Sequence, residues 1–273
     1  MRKLGIVHFE TTTACPARCT FCPHKTMKRQ KGLMSQALIE KIIDESLDYG
    51  VDELMPFYMG EPFSDSRMID ILRYCRAGIK KRGLQTKVGF YTNLDPLPIE
   101  TIDCIFDTLS DVLGCFAISF NGMTKESYKK IMGLERFDEN LEKVKRIIKL
   151  NEALEKPIDL QVGMVYCPEL IEEIPLFRET FGKYSAVYRN WNWGGNMGEG
   201  EPRTKPCPRI LTQMVVLWDG RVCLCCMDAE GEVILGDVNT QTIKEIWEGN
   251  EAMRKGHEKL EFDIPLCKNC NMI

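Results

Sequence analysis

The sequence predicts an α/β fold in two parts: a larger part of parallel strands joined by helical crossovers, then a small cysteine-rich part. Three observations predict it. Short β-type runs alternate with longer helical patterns from residue 4 to about 190, the order that builds a parallel sheet through βα connections. The composition changes at residues 191–202, a Gly-rich stretch suited to a loop. Beyond that stretch lie six of the 13 cysteines, and three more share one short segment near the N-terminus.

The strand candidates are residues 5–10, 53–58, 88–92, 115–119, 159–165 and 186–189. Between them, residues 35–49 carry Leu38, Ile39, Ile42, Ile43 and Leu47 at helical spacing after the N-cap candidate Ser35. Residues 66–81, 99–108, 140–154 and 169–181 read as helices by the same pattern, with Pro157 and Pro168 marking element boundaries. Six βα units result, and periodicity alone fits an open partial barrel or a doubly wound sheet. After the Gly-rich stretch, residues 214–218 turn at Asp219-Gly220 into 221–224 as a hairpin, and 242–247 form a short helix. We therefore divide the chain into domains 1–195 and 196–273.

A chain of 273 residues can bury a large core, and its 44% hydrophobic and 28% charged residues are ordinary for a globular protein. The net charge of -4 gives no reason to expect nucleic acid. No apolar run approaches the roughly 18 to 20 residues that span a bilayer, and the N-terminus does not read as a signal peptide. A cytoplasmic protein without a membrane partner is expected. In a reducing compartment, 13 cysteines point to metal or redox chemistry rather than disulfides.

Cys15, Cys19 and Cys22 follow the first strand with the spacing C-x3-C-x2-C. A 4Fe-4S cluster normally takes four thiolates, so three leave one iron open for another ligand. A structural zinc loop is the alternative. The segment resembles the radical S-adenosylmethionine (radical SAM) signature C-x3-C-x-aromatic-C, with Phe21 as the aromatic residue. The resemblance implies that S-adenosylmethionine chelates the open iron and is cleaved to a 5′-deoxyadenosyl radical, with Phe21 near the adenine. It also implies a partial (β/α)6 TIM-like barrel, in agreement with the six units. Tyr58-Met59-Gly60-Glu61-Pro62 looks like the family's Gly-Gly-Glu motif, with Met59 in place of the first glycine, and assigns Gly60 and Glu61 to the methionine amino group. Asn93, after the third strand, and Ser119, ending the fourth, resemble residues that line the cofactor site in relatives.

The C-terminal cysteines are Cys207, Cys223, Cys225, Cys226, Cys267 and Cys270, the last two forming a C-x2-C pair. By residue type they suit zinc or a 4Fe-4S cluster. They resemble the SPASM or Twitch extension of radical SAM enzymes through Cys207, Gly220, Cys225, Gly236-Asp237-Val238, Ile246-Trp247 and Cys267/Cys270. The resemblance implies one auxiliary 4Fe-4S cluster held by Cys207, Cys225, Cys267 and Cys270, closed by four thiolates and used to move electrons. Strand alternation turns Cys226 away from the cluster face and leaves Cys223 as an alternative ligand.

Cys75, Cys104, Cys115 and Cys167 lie in apolar patterns and read as buried structural thiols. Lys25, Lys28, Arg29 and Lys31 form a basic run that reads as a solvated loop. Substrate candidates are Glu10, on the same strand face as His8, and Arg189, Asn192 and Trp193, in a segment rich in hydrogen-bonding and stacking groups. The chain also resembles the deoxy-scyllo-inosamine dehydrogenases of aminoglycoside biosynthesis, except around Trp193-Gly194-Gly195. This implies a radical SAM oxidoreductase acting on a small polar molecule and drawing electrons from a donor such as flavodoxin or ferredoxin. A maturase acting on a ribosomally made peptide is the alternative enzyme, although the strand beginning by residue 5 leaves no room for the usual recognition domain. A non-catalytic iron–sulfur or zinc protein is the alternative of another class.

Overall fold

The computed structural model describes residues 2–198 and 203–272. Six parallel strands, β1 (Ile6–Phe9), β2 (Glu53–Met55), β3 (Lys87–Thr92), β4 (Leu113–Ser119), β5 (Asp159–Val165) and β6 (Ser185–Tyr188), pair in sequence order. The crossovers supply α1 (Gln36–Tyr49), α2 (Met68–Arg82), α3 (Ile99–Leu109), α4 (Lys125–Met132), α5 (Phe137–Ala153) and α6 (Ile174–Phe181). Alternation along the strands sorts the side chains. Val7, Phe9, Leu54, Phe90, Phe116 and Val162 are fully buried in one core with Ile39, Ile42, Ile71 and Ile105 of the helices. The opposite face, which carries His8, Tyr91, Ser119 and Gln161, lines the inside of the curved sheet.

The sheet does not close. Its order is β6-β5-β4-β3-β2-β1-β7-β8-β9, so this is an unclosed barrel rather than a doubly wound sheet. The C-terminal part comprises α7 (Pro208–Thr212), β7 (Gln213–Val216), β8 (Arg221–Cys223), β9 (Ile234–Asp237), α8 (Ile243–Gly249), α9 (Glu251–Glu258) and α10 (Pro265–Lys268). The expected hairpin is β7–β8, and it does not stand apart from the barrel. β7 runs parallel to β1, pairing His8 with Val215 and Phe9 with Val216, while β8 and β9 follow antiparallel. This arrangement brings the C-terminal cysteines to the strand that ends in the first cysteine loop.

Two features of the barrel differ from expectation, and in the C-terminal part α7, β9, α9 and α10 add to the expected hairpin and helix. Pro175 cannot donate a backbone hydrogen bond, so the helix expected over 169–181 divides into a 3-10 segment, Pro168–Glu173, and α6. α4 was not anticipated. It is short and starts with a Thr124/Ser127 capping box, in which serine replaces the usual Glu or Gln. Of the Gly-rich stretch, residues 199–202 lie outside the described residues. Among the described residues, no helix is long and apolar enough to cross a membrane.

Candidate active site

The cysteine loop leaves β1 and is fastened on three sides. Arg18 N donates to Met132 O at 2.8 Å and Thr20 N to Ile131 O at 2.9 Å, so the end of α4 holds its middle. Gly133, at φ 68°, ends that helix against Arg18, where an added Cβ would lie 2.9 Å from the Arg18 Cβ. Beyond the third cysteine, His24 Nε2 donates to Thr13 O at 2.7 Å, closing the loop at its base. The third fastening is Gly60. Glu61 N donates to Ala14 O at 2.8 Å, and a Cβ on Gly60 would lie 2.1 Å from Thr12 O. Only glycine allows the loop after β2 to approach this closely.

Glu61 is buried, and its carboxylate accepts from Thr92 Oγ1 at 2.6 Å, Asn93 N at 2.7 Å and Phe63 N at 3.3 Å. Burial raises its pKa to about 7 against the pull of those hydrogen bonds. Asn93 Nδ2 reaches Cys15 Sγ at 3.7 Å, and Ser119 ends β4, half-buried. Gly60, Glu61, Asn93 and Ser119 therefore stand at the C-terminal ends of β2, β3 and β4, the end at which α/β folds bind ligands.

Without metal, burial keeps the three thiols protonated. Cys15 is pushed up to about 12 by burial and by the Glu61 carboxylate. Cys19 is raised by burial and by the charges of Cys22 and Cys15, and Cys22 by burial. Each thiolate makes the next harder to form, and bound metal reverses this by neutralising the charge. The donor set thus fits an iron–sulfur cluster with one position left over.

Cys207, Cys225, Cys267 and Cys270 are 5%, 7%, 5% and 4% exposed and share a second, separate core with Ile210, Leu224 and Leu266. Burial, with the neighbouring Cys207 and Cys270, pushes the Cys267 thiol up to about 12. Cys223, the alternative to Cys225, lies instead with Val215, Leu217 and Tyr58. The alternation expected for Cys226 fails because β8 stops at Cys223, leaving Cys225 and Cys226 in the following turn. Cys226 is close enough to Cys207 and Cys270 for their charges to raise its pKa to about 11, after burial and against Arg209. Four thiolates around one zinc stand within roughly 3.8 Å of one another, given Zn–S bonds of about 2.3 Å. Among the described residues, no three His, Cys, Asp or Glu side chains are grouped to hold a single metal ion.

The sequence matches the radical SAM superfamily over residues 9–173 and an iron–sulfur cluster-binding domain, SPASM, over 207–271. The chain belongs to the radical SAM superfamily. Members of this superfamily bind a 4Fe-4S cluster and S-adenosylmethionine, and SPASM domains bind further clusters, so iron–sulfur rather than zinc is the chemistry of the two matched regions. No curated protein matches the chain by sequence. In fold, the chain is similar to BtrN in complex with AdoMet and 2-DOIA (TM-score 0.67, 19% identity, 99% of this chain and 94% of that one). It is also similar to native anSMEcpe with bound AdoMet (0.72, 15%, 97% and 88%) and to Streptococcus suis SuiB bound to its precursor peptide SuiA (0.71, 13%, 99% and 70%). These radical SAM relatives share the unclosed barrel with its C-terminal extension.

The candidate substrate residues divide. Glu10 is fully buried, and its carboxylate takes Arg29 Nη1 at 2.8 Å and Nη2 at 2.6 Å, with Met59 N and Trp218 N each at 3.3 Å. This holds the cluster loop and leaves no free oxygen for a ligand. Arg29 accordingly is not solvated. Its side chain is 4% exposed, and Nε donates to Ala229 O at 2.7 Å. Asn192 is also spent on structure, exchanging hydrogen bonds with Asn271 at 2.8 and 3.0 Å and donating to Asn269 O at 2.6 Å. Arg189 is exposed at the surface after β6. Trp193 is different. Its Nε1 donates to Phe21 O at 3.0 Å, and its ring touches both the four-cysteine core and the cluster of Met27, Met59 and Cys22.

Cys75 and Cys167 are buried as expected, whereas Cys104 and Cys115 are partly exposed, Cys115 on the inner face of β4 beside Tyr91. The inner face also holds residues that the sequence did not single out. The Phe57 and Tyr91 rings pack at a tilt, 5.4 Å apart, with Phe57 edge-on to His8, and Tyr188 Oη donates to Gln161 Oε1 at 2.6 Å. Strict alternation along β3, β5 and β6 is the signal that could have found them.

Proposed function

We propose that this enzyme removes two electrons and two protons from a small polar substrate, oxidising a carbon that bears a hydroxyl or amino group. When bound, the first cluster and S-adenosylmethionine supply a 5′-deoxyadenosyl radical, which takes a hydrogen atom from the substrate carbon and becomes 5′-deoxyadenosine. Cys15, Cys19 and Cys22 hold that cluster. Gly60, Glu61, Asn93, Ser119 and Phe21 position the cofactor against it. Cys207, Cys225, Cys267 and Cys270 would hold a second cluster, which would supply the acceptor for the remaining electron as a proton leaves the substrate. Tyr91, Tyr188 and Gln161 on the inner face line the space for the substrate.

The observation that carries this reading is Trp193, whose ring packs against the four-cysteine core and against the Met27/Met59 cluster that Cys22 also flanks, while its N–H is tied to Phe21 O of the first cysteine loop. A closed four-thiolate centre has no position for substrate, so its use in this reading is to accept an electron. The test is anaerobic incubation with S-adenosylmethionine, dithionite and a panel of polyols, aminocyclitols and short peptides. The parent should form deoxyadenosine above background with a small polar compound. Cys19→Ala should form none, and Cys270→Ala should form it without oxidised product. Stimulation by peptides alone would replace the small-molecule reading, and equal product from Cys270→Ala would remove the electron-acceptor role.

A further inference from the structure

Beside the four-cysteine core stand two buried side chains whose polar atoms have no evident protein task. His257 on α9 is 2% exposed and places Nε2 3.3 Å from Cys267 Sγ, while its Nδ1 has no partner. Phe262 packs on the imidazole at 4.8 Å and fixes its plane. Arg203, four residues before Cys207, is 7% exposed, and its Nε and Nη1 have no hydrogen-bond partner among the described residues. It stands close enough to Cys267 and to His257 to act on both electrostatically.

Burying a guanidinium without an anion costs several kcal/mol, so this fold must set a negative group near it. Asp228 is not available for that task. It is fully buried and already accepts from Glu232 N at 2.8 Å, Val233 N at 3.1 Å and Leu224 N at 3.4 Å. The neighbouring thiolates are such a group: around a 4Fe-4S core they would carry net negative charge, and one more when reduced.

We propose that Arg203 and His257 form an electrostatic seat that raises the reduction potential of the auxiliary centre, so that it accepts the electron given up by the substrate. The inference rests on the function proposed above. An N–H donated to a ligand sulfur and a fixed positive charge in a dry site both favour the more negative, reduced cluster. The balance is one electron into the cluster as the substrate radical loses a proton, and one electron out to a carrier protein of the flavodoxin or ferredoxin class. Asp228, whose charge also reaches Cys267, acts in the opposite direction.

The test is redox titration of the reconstituted full chain followed by electron paramagnetic resonance. A Cys15→Ala/Cys19→Ala/Cys22→Ala background isolates the auxiliary signal. Arg203→Met and His257→Phe should each keep the auxiliary iron and move the midpoint to more negative potential by a tenfold change in the oxidised-to-reduced ratio, about 59 mV for one electron. Arg203→Lys and His257→Asn, which keep the charge and a donor, should restore most of the shift. Unchanged midpoints in iron-replete Arg203→Met and His257→Phe overturn the proposal. Absence of iron at these cysteines in the parent background overturns instead the function on which it rests.

Discussion

Replacing Arg29 by Met leaves the Glu10 carboxylate at zero exposure with its two short hydrogen bonds, 2.6 and 2.8 Å, removed. Two long contacts from Met59 N and Trp218 N, each 3.3 Å, are what remain to it. Breaking a buried pair by removing one partner costs about 3–5 kcal/mol, and the poor residual partners put Arg29→Met near about 4 kcal/mol. Removing both charges, as Glu10→Gln/Arg29→Met, abolishes the stranded carboxylate and leaves Ala229 O without its donor, a penalty of about 1–3 kcal/mol. The double variant should therefore be more stable than Arg29→Met alone. The assay is urea unfolding of the four full-length proteins, with hydrogen exchange to locate the loosening. Exchange should rise first over residues 27–32 and 228–232, because Glu230 also ties Lys28 N and Arg29 N at 2.9 Å and Trp218 Nε1 holds Gln30 O at 2.9 Å. A double variant destabilised by the sum of the single losses to within about 0.5 kcal/mol refutes the pair as a coupled unit.

Gly60→Ala drives a Cβ into Thr12 O, so the loop carrying Glu61 must withdraw from the cysteine loop. Deoxyadenosine formation should fall roughly 100-fold with iron content retained, and unimpaired cleavage would count against the Gly60 approach. Trp193→Phe keeps a ring and loses the bond to Phe21 O, so stability should drop by only about 1 kcal/mol, while Trp193→Ala should lower the product formed per deoxyadenosine. For pH dependence, burial and the Arg209 charge hold His8 at about 4 in the folded chain, against 6.5 unfolded. The unfolded chain then binds a proton that the folded one refuses, so stability falls as pH drops from 6.5 to about 4, by about 3 kcal/mol, and is level below that. His8→Leu should flatten this slope in unfolding titrations between pH 7 and 4, and an unchanged slope would assign it elsewhere.

The features legible in the sequence were local ones. Period-2 alternation separated Val7 and Phe9 from His8 and Glu10, and the cysteine spacings named both groups, because ligands on one loop must be close in the chain. Helices with strong periodicity, such as α1, were found to within a residue or two, whereas α4 was missed because a serine cap and few apolar positions left little signal. Pairing between distant segments was not legible. Nothing near Arg29 shows that its partner is Glu10 or that Glu230 will cap the same loop, so the basic run read as solvent-facing. The parallel join of β7 to β1 is likewise a contact across some two hundred residues, and it sets the C-terminal part alongside the strand that leads into the first cysteine loop. Cys225 and Cys226 were sorted by strand alternation in a place where the strand had already ended.

The central claim is that two separate cysteine sets hold two 4Fe-4S clusters, the first of them open to S-adenosylmethionine. Iron and sulfide analysis with Mössbauer spectroscopy on anaerobically reconstituted protein tests it directly. About eight irons per chain are expected in the parent and about four after replacement of either Cys15, Cys19 and Cys22 or Cys207, Cys225, Cys267 and Cys270. S-adenosylmethionine should perturb the spectrum of the N-terminal cluster alone. Zinc at either set, or an iron count that does not halve with each replacement, would contradict it.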